Sequence, residues 1–152
     1  PRILPGSLGG PGIEPAVHDV IERALLNNVV VVVAAGNDGA DACTTTPGYV
    51  KEAVVVGATD KKDRVAEFSN FGPCVDIYAP GVDIPSVDHK GRITILSGTS
   101  MAAPHVSGVA AMVLRHKPKA DEVEFALQAT GVAFAGDRYH RILHIQPGHG
   151  GR

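Results

Sequence analysis

The chain has 152 residues, of which 44% are hydrophobic and 5% aromatic, which suits one globular domain with a sizeable core. Its net charge of −2 gives no basis for electrostatic binding to nucleic acid or to an anionic membrane. The longest apolar run, at 29–35, has the length of a strand and is too short for a transmembrane helix. Because the sequence opens Pro1-Arg2-Ile3, with neither an initiator Met nor a signal peptide, we expect a segment of a longer chain.

Strand and helix patterns alternate along the sequence. Residues 1–12 are rich in Pro and Gly and predict a loop or an edge strand, and residues 60–72 predict a charged loop. The predicted helices are 15–28, 99–115 and 120–129, and the predicted strands are 29–35, 53–58, 74–78, 92–96 and 141–145. This alternation predicts an α/β fold with a mostly parallel sheet flanked by helices. Residues 148–152 predict a loose tail.

A turn followed by a helix of small residues, near residue 100, carries the most specific chemical signal. Gly98 allows a sharp turn, and Thr99 or Ser100 can cap the helix that follows. A serine there lies beside unpaired backbone N–H groups and the positive end of the helix dipole, where an oxyanion can be stabilised. On these grounds alone the segment is also compatible with an ordinary buried helix.

The string G-T-S-M-A-A-P-H-V-S-G, however, resembles the nucleophile motif of the subtilisin-like serine proteases, the proteinase K branch in particular. The resemblance implies that Ser100 is the nucleophile. Ala34-Ala35-Gly36-Asn37 is similar to the oxyanion motif of the family, which implies that Asn37 and the Ser100 N–H stabilise the tetrahedral intermediate. The implied architecture is the three-layer subtilisin-like fold, of which residues 1–147 would form only the C-terminal half. By itself, Asn37 is more typical of a tight turn.

The resemblance also implies a site that binds a peptide or protein substrate. Ser7-Leu8-Gly9-Gly10 is similar to the strand that pairs with the substrate backbone in this family, although such a string is usually a turn. With Ala34, Ala35 and Gly36 as the opposite wall, and Thr99 beside the nucleophile, the implied pocket is roomy and uncharged. We therefore expect cleavage after apolar or aromatic residues.

Two cysteines, Cys43 and Cys74, could be free thiols or form one bridge. The resemblance to the proteinase K branch implies a disulfide between them, and hence a secreted protein. In the same branch a calcium ion is held by one Asp and nearby carbonyls, which here correspond to Asp76 and to the backbone of Lys51 and Ala53. Asp76 could equally be a solvated carboxylate. The chemistry itself needs no cofactor.

The sequence lacks the partners that a serine nucleophile requires. A base and an orienting carboxylate are needed, and subtilases place Asp and His before Ser in the chain. Neither of those motifs occurs here, and His105, five residues after Ser100, matches a structural His of the family. We expect the missing half of the domain and an inhibitory propeptide to lie upstream, and the isolated segment to be unstable and inactive. Pro5 and Gly6 also interrupt the apolar strand that the family has before Ser7.

Three other functions are compatible with parts of this sequence. The first is a pseudoprotease, in which the half-domain serves as a binding module. The second is a nucleotide-binding domain, suggested by Gly36-Asn37-Asp38-Gly39 after a buried strand, but G-x-G-x-x-G and a Walker lysine are missing. The third is an α/β-hydrolase, which lacks support because the second Gly of G-x-S-x-G is Ala102 here.

Overall fold

The computed structural model describes residues 2–116, 119–133 and 141–144. The predicted tail at 148–152 and the last residue of the strand predicted at 141–145 lie outside these ranges. The helices are α1 (Pro15–Leu26), α2 (Thr99–Val113) and α3 (Ala120–Thr130). The strands are β1 (Ile3–Gly6), β2 (Gly10–Pro11), β3 (Val30–Ala34), β4 (Thr45–Thr46), β5 (Val54–Thr59), β6 (Ile77–Pro80), β7 (Ile84–Val87), β8 (Ile93–Leu96), β9 (Val132–Ala133) and β10 (Arg141–Ile142).

Six of these strands form one sheet in the order β1-β3-β5-β6-β10-β9. All neighbours in it are parallel except β9 and β10. Two smaller sheets pair β2 with β4 and β7 with β8, each antiparallel. The prediction of a mostly parallel sheet is therefore confirmed.

The residues of β3 explain the three layers. Successive side chains of a strand point to opposite faces, and every residue of this strand is apolar and buried. Val30, Val32 and Ala34 pack into a core shared with α2 and α3, whereas Val31 and Val33 pack into a second core that contains Ile21 of α1. The sheet is thus covered on both faces, as the continuous apolar run predicts.

The first strand corrects an expectation from the sequence. Pro5 and Gly6 do not interrupt it, because β1 runs through both in parallel register with Val32 and Val33. Proline is tolerated at such a position because β1 is the outermost strand of the sheet within the described residues, so that only one side of its backbone pairs.

Other boundaries also differ from the sequence pattern. The strand predicted at 74–78 begins later, at Ile77, and continues to Pro80. The hairpin partner of β8, at Ile84–Val87, is not predicted by the sequence at all. Three of its four residues are exposed, and the strand follows Asp83, whose φ is positive at 54°.

Among the described elements, no helix combines the length and the apolar character needed to cross a bilayer.

Candidate active site

A cleft of about 230 Å³ opens at the carboxyl ends of β1 and β3. Ligand sites of open parallel sheets form at this edge, where the connecting loops come together. Every residue that the sequence predicts for the nucleophile, the oxyanion donor and substrate contact lines this cleft: Ser7, Leu8, Gly9, Ala34, Ala35, Gly36, Asn37, Thr99 and Ser100. The exposed Asp38 lines it too, so the expectation of a wholly uncharged pocket is wrong.

Ser100 lies in the first turn of α2 and is half-buried. Its hydroxyl donates to the backbone carbonyl of Ser7, with a long Oγ to O distance of 3.5 Å. Its own N–H donates to no described residue, as is usual for the first turn of a helix. The serine hydroxyl therefore lies beside an unpaired donor at the positive end of a helix.

Asn37 follows β3, and its side chain is oriented by two donors. Its Oδ1 accepts from the Thr99 N–H at 2.8 Å and from the Thr99 hydroxyl at 2.9 Å. Two donors at one atom identify that atom as the oxygen of the amide, which leaves the NH₂ group on the other side. This Nδ2 donates to none of the described residues. A second unpaired donor is thus available at the cleft.

Thr99 connects the two loops that meet at the cleft. Its side chain is fully buried, and its hydroxyl accepts from the Gly36 N–H at 3.2 Å while donating to Asn37. The expectation that Thr99 or Ser100 caps the helix is wrong, because the N-cap is Gly98 and no side chain of the cap residue bonds to the helix. The first N–H of α2 is instead satisfied by Asn37, from a distant part of the chain.

Asn70, which the sequence analysis missed, is fully buried beneath the loop that carries Asn37. Its Oδ1 accepts from the N–H groups of Asp38 and Ala40, both at 3.0 Å, and its Nδ2 donates to the Ala35 carbonyl at 2.8 Å. No local pattern reveals this role, because Asn70 lies in a polar stretch that is typical of an exposed loop.

Gly36 approaches this asparagine closely. Its φ of 108° lies in the region that favours glycine, and a Cβ built on it would overlap the side-chain amide of Asn70. The glycine before Asn37 is therefore required both by its backbone conformation and by the close approach of Asn70.

No described histidine accepts a hydrogen bond from the Ser100 hydroxyl. His105 lines a second cavity, of about 520 Å³, on which Ser100 also opens. The Nδ1–H of His105 donates to the Met101 carbonyl at 2.8 Å, within its own helix. This contact agrees with the structural role expected for His105. The described residues therefore hold a serine hydroxyl beside two unpaired N–H donors, but no base in contact with that hydroxyl.

The expected disulfide between Cys43 and Cys74 is present, with Cα atoms 5.3 Å apart. Cys43 lies in a short 3₁₀ turn (Ala42–Thr44), whose start is capped by the Asp41 carboxylate, at 2.9 Å from the Cys43 N–H. Cys74 lies three residues before β6. The bridge thus ties the chain just beyond the Asn37 loop to the segment that enters β6.

A third cavity, of about 240 Å³, is lined by Asp76, Lys51 and Glu124 among others. Burial raises the pKa of Asp76 to about 7, and the negative charge of Glu124 adds to this, although a bond from the Val55 N–H at 2.7 Å opposes it. Ala53 is fully buried just before β5 and is not among the lining residues. Within the described ranges no group of three or more His, Cys, Asp or Glu residues could hold a metal, so any ion would also need carbonyl ligands.

Comparisons with known proteins agree with this geometry. The family model described as "Subtilase family" matches residues 1–149. Subtilisin-like protease 2 of Pseudogymnoascus destructans is 47% identical over 74% of this chain and 28% of its own length. Proteinase T of Parengyodontium album is 48% identical over 71% of this chain and 36% of its own length, in agreement with the predicted branch.

Extracellular serine proteinase of a Thermus species is 44% identical over 83% of this chain and 31% of its own length. The crystal structure of a cold-adapted subtilisin-like serine proteinase superposes with a TM-score of 0.86 at 36% identity, covering 93% of this chain and 54% of the other. The chain therefore spans about a third of the curated relatives it matches, and about half of the solved structure. On this similarity of sequence and fold, the chain belongs to the subtilase family of serine proteases.

Proposed function

We propose that this chain is the part of a subtilisin-like serine endopeptidase that carries the nucleophile, Ser100, and the oxyanion donors. One observation supports the proposal above all. Two N–H donors without a partner among the described residues, the Asn37 amide and the Ser100 backbone, lie at the cleft onto which the Ser100 hydroxyl opens. An oxyanion hole requires such donors to be oriented before the charge develops.

In the proposed reaction, Ser100 Oγ attacks the carbonyl carbon of the scissile peptide bond and gives its proton to a base. The carbonyl oxygen becomes an oxyanion, which accepts hydrogen bonds from Asn37 Nδ2 and from the Ser100 N–H. The intermediate collapses when the base returns the proton to the leaving amine, so that an acyl ester remains on Ser100. Water then hydrolyses this ester by the reverse proton transfers.

The base and its orienting carboxylate are proposed to come from a segment upstream of Pro1. In the family these residues precede the serine in the chain. This chain covers less than a third of the length of two curated relatives, so most of each relative has no counterpart here, which supports this arrangement. An inhibitory propeptide is proposed to precede that segment. Secretion is proposed because a disulfide is present and because one similar protein is named an extracellular proteinase.

The proposed substrates are peptides and proteins with an apolar or aromatic side chain before the scissile bond. Ala34, Ala35 and Gly36 give the cleft a wall of small residues, which leaves room for a large side chain. Ser7, Leu8 and Gly9 form the opposite wall, where an extended peptide can pair. Asp38 also lines the cleft and could favour a basic side chain. Two substrates that differ only in having Phe or Lys before the scissile bond would therefore define the side-chain preference.

The test uses the complete gene product that contains this segment. Wild type and Ser100→Ala are compared in turnover of a peptide p-nitroanilide, and the serine is labelled with a peptidyl phosphonate followed by peptide mapping. We expect turnover and a label on Ser100 in the wild type only, with both proteins equally folded by circular dichroism. Turnover that survives Ser100→Ala would contradict the proposal.

A catalytically inactive binding module is the second candidate. It is favoured by the absence of a base in contact with the Ser100 hydroxyl among the described residues. In that case the complete gene product would bind peptides in the cleft without turnover, and the phosphonate would leave Ser100 unlabelled. The same experiment therefore separates the two functions.

We also propose a structural calcium ion beside Asp76. The proposed ligands are the Asp76 carboxylate and the backbone carbonyls of Lys51 and Ala53, oxygen donors that suit a hard cation, and Asp76 and Lys51 line the same cavity. A cation there would relieve the cost of burying the Asp76 carboxylate, which is otherwise evident in its raised pKa. The ion would stabilise the fold and take no part in peptide cleavage.

A further inference from the structure

We infer that Asn70 is a positioning residue for the oxyanion hole, and that its buried amide holds the loop from which Asn37 projects. The inference rests on the proposed function of Ser100 and Asn37. Asn70 lies on a different loop, 33 residues further along the sequence, and does not line up with any catalytic motif. Its role follows from its hydrogen bonds alone.

The bonds of Asn70 lie on both sides of Asn37 in the chain. Before Asn37, the Asn70 side chain donates to the Ala35 carbonyl and the Asn70 N–H donates to the Gly36 carbonyl at 2.9 Å. After Asn37, its Oδ1 accepts from the N–H groups of Asp38 and Ala40. One buried side chain therefore restrains the backbone at both ends of the residue that must donate to the oxyanion.

The neighbouring Ser69 provides a comparison, because its buried hydrogen bonds do not involve the Asn70 side chain. The Ser69 hydroxyl donates to the Asn70 carbonyl at 2.9 Å and accepts from the Ala58 N–H at 3.0 Å. Ala58 belongs to β5, which is fully buried in the centre of the sheet. Ser69 thus ties this segment to the sheet without any hydrogen bond to residues 35–40 or to the Asn70 side chain.

From the loop, the restraint continues to the side chain of Asn37. The Gly36 N–H donates to the Thr99 hydroxyl, and the Thr99 hydroxyl and N–H both donate to Asn37 Oδ1. Asn37 itself is exposed, so little packing holds it otherwise. Because donation to an oxyanion depends steeply on geometry, a loop that relaxes by a fraction of an ångström loses rate without losing substrate binding.

A double-mutant cycle on the complete gene product tests this inference. Asn70→Leu removes the amide at similar volume, and Asn70→Asp keeps an acceptor for Asp38 and Ala40. We expect Asn70→Leu to lower kcat by about 10–100-fold while KM changes by less than about threefold, since the lost interaction belongs to the transition state. Asn70→Asp should recover only part of that loss, because it places an oxygen against the Ala35 carbonyl where the amide donated.

The decisive arm repeats Asn70→Leu in an Asn37→Ala background. If Asn70 acts through Asn37, the second substitution lowers kcat by less than about threefold there, since coupled residues are not additive. Ser69→Ala is the matched control, because it removes buried hydrogen bonds of the same loop but leaves all those between Asn70 and residues 35–40. It should lower the melting temperature and leave kcat unchanged.

A full additive loss of kcat, or an equal loss in Ser69→Ala, would overturn the inference and leave the proposed function intact. Persistent turnover in Ser100→Ala, by contrast, would overturn the proposed function. If Asn70→Leu does not fold, the cycle is run with Asn70→Asp, whose smaller loss should also vanish beside Asn37→Ala.

A measurement independent of activity completes the test. In the ¹⁵N spectrum of the Ser100→Ala protein, adding Asn70→Leu should shift the Asn37 side-chain amide signal and speed hydrogen exchange at Asp38 and Ala40. Ser69→Ala should change these signals far less. An Asn37 signal that is the same with and without Asn70→Leu would refute the positioning role whatever the activity.

Discussion

Removing the disulfide should destabilise the protein mainly by freeing the unfolded chain. The bridge joins Cys43 to Cys74 across a sequence separation of 31 residues. In the chain-entropy description of cross-links, closing a loop of that length is worth about 3.7 kcal/mol at 25 °C. For a domain of this size such a loss corresponds to a fall in Tm of about 7–15 °C. Replacing both cysteines by alanine should therefore lower stability by this amount.

The contacts of the sulfur atoms in the folded protein add a smaller contribution. Cys74 is partly buried and packs against the core that contains Val75 and Tyr78, so its truncation removes some apolar contact. This part of the loss acts on the folded state, whereas the loop-closure part acts on the unfolded state. The two can be separated by the dependence of unfolding on denaturant, because an unbridged chain exposes more surface and raises the m-value.

The assay is urea unfolding of the complete gene product, followed by circular dichroism. The Ser100→Ala background is used throughout so that self-digestion does not mimic unfolding. Oxidised protein, the same protein reduced with dithiothreitol, and the double alanine variant are compared. We expect both of the last two to show a lower free energy of unfolding and a higher m-value than the oxidised protein, with the alanine variant slightly the less stable because it also lacks the sulfur contacts. A loss below about 1 kcal/mol at unchanged m-value would refute the loop-closure argument.

Three further predictions concern single residues. Gly36→Ala forces a Cβ against the Asn70 amide at positive φ, so urea unfolding should show a loss of about 1–3 kcal/mol and kcat should fall as well; unchanged values would refute the tight contact. Calcium should raise the Tm of the wild type and leave that of Asp76→Asn unchanged, and an equal rise in both would place the ion elsewhere. Hydrogen bonds from Arg64 lower the pKa of Asp60 to about 2, so its carboxyl signal in NMR should titrate near that pH and move toward 3.8 in Arg64→Met.

Short-range patterns were sufficient for much of the fold. The continuous apolar run that contains β3 predicts a strand buried on both faces, because five consecutive apolar residues leave no side for water. Pro15 and the apolar repeat of α1 predict that helix to within two residues of its observed end. The pairing of Cys43 with Cys74 followed from family resemblance, because two cysteines alone leave the thiols free or bridged.

The sequence pattern failed where a partner distant in the chain decides the local structure. Pro5 and Gly6 oppose a strand by themselves, yet β1 forms because the apolar edge of β3 provides the hydrogen bonds. The exposed strand β7 has no alternating pattern of its own and exists because it pairs with β8. In both cases pairing outweighs intrinsic preference.

The candidate site divides in the same way. The sequence by itself determined which residues are proposed to carry the chemistry, Ser100 and Asn37, because their motifs resemble the nucleophile and oxyanion motifs of the family. Only the tertiary structure decided how they are held, by the Thr99 hydroxyl 62 residues from Asn37 and by the Asn70 amide beneath the loop. The physical reason is that a hydrogen bond between distant residues depends on the positions of whole strands and helices, of which a local stretch of sequence carries no trace.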